Sequence, residues 1–217
     1  MISCSKILVT AGPTYEPIDP VRFIGNRSSG KMGFAIAEVL ADKGIEVVLV
    51  TGPVLIQISH PLIQLIRVET ADEMAKAVFR EFASCDGAIM ASAVADYTPV
   101  VKSKVKIKKS SEEFFELKLK KTVDILASLG KMKNDRQKVA GFSLETDNEI
   151  ENTRKKMETK NADMIVLNSL QDEGAGFSFD TNKVTIFLKE GKVYHFPLKP
   201  KNEVAFDIVN TFLKLFK

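Results

Sequence analysis

Short, almost unbroken apolar runs recur along the chain, separated by segments whose apolar residues fall at helical spacing, and this alternation constrains the fold most. The runs are KILVT at 6–10, IEVVLVTG at 45–52, LIQLIRV at 62–68, the opening of 86–97, KVAGFSLET at 138–146 and ADMIVLN at 162–168. Between them, Phe34, Ile36, Ala37, Val39 and Leu40 follow Lys31 at helical spacing until Gly44. Thr70 and Glu73 open a second helix over 70–84 with a capping box. A third helix is expected over 147–161, and a fourth over 202–216 with Val204, Ile208, Phe212 and Leu215 on one face. Strands that read as continuous apolar runs are buried on both faces, as in a parallel sheet with helices on each side. The expected fold is therefore α/β, a Rossmann-like doubly wound, mostly parallel sheet, with residues 1–217 as one domain.

Two segments break the alternation. Residues 98–110 are lysine-rich and read as a flap, and 111–120 then alternate through Phe115, Leu117 and Leu119. Residues 183–197 read as a hairpin turning at Glu190-Gly191. Both are expected outside the main sheet, as a small antiparallel sub-sheet able to act as a dimer contact or, equally on pattern, as ordinary edge hairpins.

Composition narrows the partners. A net charge of +3 on 217 residues is too weak to argue for nucleic acid, yet suits anionic small molecules. No apolar run reaches the ~20 residues of a membrane span. The cysteines, Cys4 and Cys85, make no metal or disulfide pattern, and the N-terminus runs straight into a strand, so a cytoplasmic protein without a leader is expected.

In doubly wound sheets, ligands bind beyond the C-terminal ends of the strands, which selects the loops 11–33, 91–98, 143–149 and 168–177. The first contains GNRSSGKMG at 25–33, a near P-loop in which Met32 stands where a metal-binding Ser or Thr belongs. Its glycines leave N–H groups at a helix N-terminus, and Ser28 and Ser29 add hydroxyls, suiting an anion; the alternative is that a serine merely caps the helix. Arg22 can clamp an anion and Asn26 can hydrogen-bond a carbonyl or oxyanion. A dinucleotide site is disfavoured because the first strand ends Ala11-Gly12-Pro13 without further glycines, and the second ends Thr51-Gly52 without an acid. In ASAVADYTP (91–99), Asp96 either holds a ribose hydroxyl or caps a turn. Lys102, Lys104, Lys106 and Lys108 share a face if extended, solvated or beside phosphate. Lys156 and Lys160 share a helix face. No nucleophilic triad or His/Cys cluster is legible. Phosphate binding without a protein nucleophile suits chemistry in which substrates supply the nucleophile and leaving group.

TAGPTYEPIDPVRFIGNRSSGKMGFAIAE, ASAVADYTP, KIKK (106–109), GFSLET and ADMIVLNSL, in this order, resemble phosphopantothenate–cysteine ligase, in its stand-alone bacterial form, from about residue 5 to 216. The resemblance implies an amide-forming enzyme of coenzyme A biosynthesis, acting on 4′-phosphopantothenate, CTP and L-cysteine, with Mg²⁺ on the triphosphate and a homodimeric state. It implies that Asn26 holds the acyl group of an acyl-cytidylate, that Arg22 supports attack by cysteine, and that flap Lys106 forms or holds the acyl-nucleotide. It further implies nucleotide contacts from Gly12, Ser92, Ala93, Asp96, Val123, Asp124, Ile125, Phe142, Lys156 and Lys160, and substrate phosphates on Ser28, Ser29, Gly30, Lys31 and Gly33. Metal ligands are not implied. Gly25, Ser92 and Val123 depart from the Ser, Ala and Pro common at these positions. The alternatives are a Rossmann oxidoreductase and a nucleotide-sensing module.

Overall fold

The computed structural model describes residues 4–109, 115–145, 147–169 and 180–216. Thr146, the loop 170–177 and residues 111–114, all used above, lie outside that set. β1 (Lys6–Ala11) leads into a hairpin of β2 (Tyr15–Pro17) and β3 (Phe23–Gly25), then α1 (Lys31–Asp42), β4 (Glu46–Thr51), β5 (Ile63–Arg67) and α2 (Ala71–Phe82). β6 (Gly87–Met90), β7 (Tyr97–Pro99), β8 (Leu119–Lys121), α3 (Ile125–Met132), β9 (Lys138–Glu145), α4 (Glu149–Lys160) and β10 (Met164–Ser169) follow. The chain ends with β11 (Thr181–Asn182), β12 (Val184–Leu188), β13 (Val193–His195), β14 (Lys199–Pro200), α5 (Lys201–Leu213) and one 3₁₀ turn.

Eight strands form the main sheet in the order β13-β12-β10-β9-β6-β1-β4-β5. The six from β10 to β5 are parallel, as their apolar runs require. α1 and α5 cover one face, where Phe34, Ile36, Leu40, Ile208 and Phe212 pack on Ile7, Val9 and Val166. α2 and α3 cover the other, with Met74, Val78, Phe82 and Leu129 against Leu8, Val48 and Val139. Helix α1 lies so close to β1 that a Cβ on Gly33 would meet the Thr10 carbonyl oxygen at 2.8 Å. The Thr70–Glu73 capping box is present at α2.

The hairpin at 183–197 corrects the expectation of a separate sub-sheet. β12 pairs antiparallel with β10, and β13 with β12, so the hairpin is the edge of the main sheet. Ile186, Phe187 and Leu188 are buried in succession, which is the burial of an inner strand rather than of an exposed ribbon. The small antiparallel sheets are instead β2–β3, β7–β8 and β11–β14. Flap residues 100–109 form no strand, so the lysines do not share the face that alternation predicts.

Candidate functional site

The C-terminal ends of β1, β6, β9 and β10 open into one groove made of two joined cavities. The larger, about 510 Å³, is lined by residues including Asp96, Tyr97, Val123, Asp124, Ile125 and Lys160. The smaller, about 320 Å³, is lined by residues including Asn26, Ser28, Ser29, Lys31, Asn168 and Lys201. Ser92, Val94, Asp96, Phe142 and Lys156 line both and mark the junction.

The α1 terminus builds one end. Gly30 is its N-cap, at φ 80°, and no side chain caps the helix. Ser28 Oγ only reaches the Gly30 N–H, at 3.4 Å, so serine capping is not what these serines do. The first-turn N–H groups of α1 thus meet the cavity that Ser28, Ser29, Lys31 and Gly33 also line. Lys31 pairs with Asp180. Burial pushes the Lys201 ammonium below its ordinary value, and the Lys31 charge adds to this. This end of the groove is built to favour an anion.

The junction is held by the loop after β6. Ser92 Oγ accepts from Thr10 Oγ1 at 2.9 Å, while the Ser92 N–H donates back to Thr10 Oγ1, so the serine at this position is fixed by β1. The Ala93 N–H donates to the Gly12 carbonyl, which anchors this loop. Asn26 donates through Nδ2 to Ala93 O at 3.0 Å and Val94 O at 3.2 Å. Both partners are acceptors, so the carboxamide is locked with its nitrogen spent and Oδ1 unpaired among the described residues. Asn26 is thereby fixed on the wall of the smaller cavity.

Lys156 and Lys160 differ although they share a face of α4. Lys160 pairs with Asp124, which also caps α3 by accepting from Ala127 N. That pairing holds the Asp124 carboxyl below its usual range although burial works the other way. Lys156 has no carboxylate at ion-pair distance among the described residues. Burial pushes its ammonium down, Lys160 adds to this, and Glu145, Asp124 and Asp96 oppose it.

Three expected site residues lie outside the cavity walls. Gly12, at φ 73°, packs beneath Val54 and serves through its carbonyl. Arg22 is bound by Asp19, Nε at 3.0 Å and Nη2 at 2.6 Å, and donates to the Ile107 carbonyl. Asp19 also accepts from the Ile107 N–H at 3.1 Å. Asp19 and Arg22 thus clasp the flap at the residue beside Lys106, which is itself exposed. The sequence reading missed Asn168, Asn182 and Lys201, which line the smaller cavity. For Asn168 the signal existed, a polar residue closing the apolar run of β10; Lys201 carried none.

Among the described residues no three His, Cys, Asp or Glu side chains group as a metal cage, and no helix is long and apolar enough to cross a membrane.

A family model described as DNA/pantothenate metabolism flavoprotein C-terminal domain matches residues 2–215. Over 210 residues the chain is 51% identical to a cysteine/cysteine sulfinic acid decarboxylase from an unknown prokaryotic organism, covering 97% of this chain and 58% of that relative. Over 211 residues it is 43% identical to the coenzyme A biosynthesis bifunctional protein CoaBC of Bacillus subtilis (strain 168), covering 97% and 52%. The chain spans about half the length of these curated relatives. The crystal structure of the C-terminal domain of CoaBC superposes with a TM-score of 0.80 at 42% identity, covering 98% of this chain and 97% of that one. The chain belongs to the DNA/pantothenate metabolism flavoprotein C-terminal domain family.

Proposed function

We propose that the groove is the active site of a phosphopantothenate–cysteine ligase of coenzyme A biosynthesis. The observation that carries the reading is the shared junction: a helix N-terminus for one anion and a lysine-lined cavity for another meet at Ser92, Asp96, Phe142 and Lys156. The likeness to the CoaBC C-terminal domain over nearly its whole length supports it.

In this reading the smaller cavity takes the phosphate of 4′-phosphopantothenate on the α1 N-terminus, with Ser28, Ser29, Lys31 and Lys201 around it. The larger takes CTP between Phe142 and the Val123–Ile125 backbone, with Lys156 and flap Lys106 toward its phosphates. The substrate carboxylate attacks the α-phosphorus. The bond to pyrophosphate breaks and its electron pair leaves with pyrophosphate. The amine of L-cysteine then attacks the acyl carbon, the bond to the nucleotide phosphate breaks, CMP departs and the amine's proton goes to solvent. No protein nucleophile is required; catalysis is position and charge.

Mg²⁺ would arrive on the triphosphate and neutralise its charge. The groove fits such a metal through Asp96, because Asp124 is engaged by Lys160 and α3, and Mg²⁺ commonly uses only one or two protein carboxylates. The protein is further read as a cytoplasmic homodimer, in contact through residues 115–120 and 183–197.

Pyrophosphate release tests this, with phosphopantothenate and Mg²⁺ present and CTP or ATP supplied with and without cysteine. Sustained release with CTP and cysteine is expected. Release with ATP alone would keep the ligase and change the base. No release, with carbon dioxide evolved from cysteine instead, would favour the activity named for the 51%-identical relative.

A further inference from the structure

The N-terminus of α1 is not fixed by its own sequence. A helix N-cap is ordinarily extended, and its side chain holds one of the first free N–H groups. Gly30 is left-handed instead, at φ 80°, and no side chain caps the helix. The direction in which α1 presents its first N–H groups is therefore set by what packs against Gly30. A Cβ on Gly30 would stand 3.0 Å from Val54 Cγ1 and 3.3 Å from the N and Cα of Gly12. A Cβ on Gly12 would stand 2.9 Å from the same Val54 Cγ1. The two glycines thus lie against each other, with one methyl of Val54 wedged on both. Gly12 carries this contact to the junction of the groove, because its carbonyl accepts from Ala93 N at 2.9 Å and Pro13 bridges to Ala93. The loop that bears Val54 is itself anchored. Gly52 N donates to Ala11 O at 3.0 Å, and a Cβ on Gly52 would meet Pro13 O at 1.6 Å. Val54 also packs on the core beneath α1, and it lines neither cavity.

We propose that Val54 is a positioning residue of the groove: acting through Gly30 and Gly12, it sets the α1 N-terminus against the loop after β6, an inference that rests on the ligase reading above. In that reading the α1 N-terminus takes the phosphate end of the acid substrate, and its carboxylate reacts at the junction. The two ends of one molecule are then held by two loops, and Val54 fixes the separation between those loops. A misplacement of about 1 Å far from the chemistry can cost as much as ~100-fold in rate. The nucleotide cavity is built from β7, β8, α3 and α4, and none of these elements rests on Val54 or Gly30. The wedge should therefore act on one substrate and spare the other.

Val54→Ala tests the assignment, since it removes the contacting methyl and touches no substrate. Turnover in pyrophosphate release should fall by roughly tenfold, while the KM for CTP stays at the parent value. Calorimetric titration with 4′-phosphopantothenate and with inorganic phosphate, without nucleotide, should show several-fold weaker binding. Val54→Thr keeps the β-branched shape and should restore both. Val78→Ala is the control for stability. It loses the same two methyls from a fully buried site on the opposite face of the sheet, so it should melt lower yet bind and turn over as the parent does. Should Val54→Ala fail to fold, Val54→Ile decides, because an added methyl at the contact pushes Gly30 off Gly12 and should weaken binding likewise. The titrations need no turnover, which separates this inference from the ligase reading. Weaker binding in the alanine or isoleucine variant, with recovery in threonine, supports the wedge even where no pyrophosphate is released. Pyrophosphate release with parent-like binding and turnover in Val54→Ala would keep the ligase and overturn the wedge. So would equal losses in Val78→Ala, which would make Val54 an ordinary core residue, or an equal rise in the KM for CTP. A parent chain that binds neither phosphopantothenate nor inorganic phosphate would overturn it as well.

Discussion

At the scale of single residues, the groove keeps one of two neighbouring lysines without an ion pair among the described residues. Lys160 is held by Asp124; Lys156, one turn earlier, is half-buried at the junction with no carboxylate at ion-pair distance among the described residues. Desolvating an ammonium disfavours its charged form, which is why its affinity for the proton falls. The sign for stability follows. The folded chain binds this proton less tightly than the unfolded chain, so Lys156 costs stability below its folded pKa. That cost fades as pH rises from the lowered value toward the ordinary 10.5. Lys156→Met should therefore melt no lower than the parent at neutral pH, and any advantage should shrink in strongly alkaline buffer. It should also raise the nucleotide KM by roughly tenfold or more, the worth of a lost charge-assisted bond. A variant that melts lower at neutral pH and keeps its nucleotide KM would make Lys156 a structural residue.

At the scale of elements, the clasp between β2–β3 and the flap gives Arg22 a role its position in sequence could not reveal. Asp19 is 3% exposed and accepts from Val21 N, Arg22 N, the Arg22 guanidinium and Ile107 N. Burial alone would raise its carboxyl pKa; these donors hold it well below the usual carboxylate range. Its stabilisation is thus present above the ordinary carboxylate pKa and is lost only as pH falls through the lowered one. Asp19→Asn turns an NH₂ toward donors. Lysine-specific protease should then cut the 102–109 segment several times faster than in the parent at neutral pH, with the main sheet intact; equal cutting would mean the clasp does not hold the flap. Sequence showed the elements whose signal is local. The apolar spacing of α1 and the Thr70–Glu73 box of α2 needed no distant partner. β2–β3 escaped because Pro13, Pro17 and Pro20 read as loop, although Tyr15 and Phe23 stack across the pair at 3.8 Å. α3 escapes because it is short and its cap, Asp124, figures in the resemblance only as a ligand contact. Within the site, the α1 loop was legible from its glycines, whereas Lys201 reaches it only through the fold.

At the scale of the whole molecule, the parallel strands aim their C-terminal ends at the groove, while the antiparallel hairpin carries the sheet two strands beyond β10 to an edge. That edge is β13. Phe196 N donates to Val184 O and Leu188 N to Lys192 O, so 192 and 196 face β12 while the N–H of Val193 points away from it. An outward row of unpaired N–H and C=O groups is a template for a second strand. The proposed homodimer makes a direct prediction here. The parent chain should run in light scattering at twice its 24.0 kDa mass. Val193→Pro removes an outward donor at an edge position where proline is tolerated, so it should weaken the dimer while circular dichroism stays unchanged. Leu119→Glu, on the β7–β8 ribbon where Leu119 is 43% exposed, tests the second contact. A dimer insensitive to Val193→Pro but broken by Leu119→Glu moves the contact to the ribbon beside the flap, and there it would bring Lys106 close to the partner's groove. A fully active monomer removes the dimer from the proposal and leaves each groove to work with its own flap.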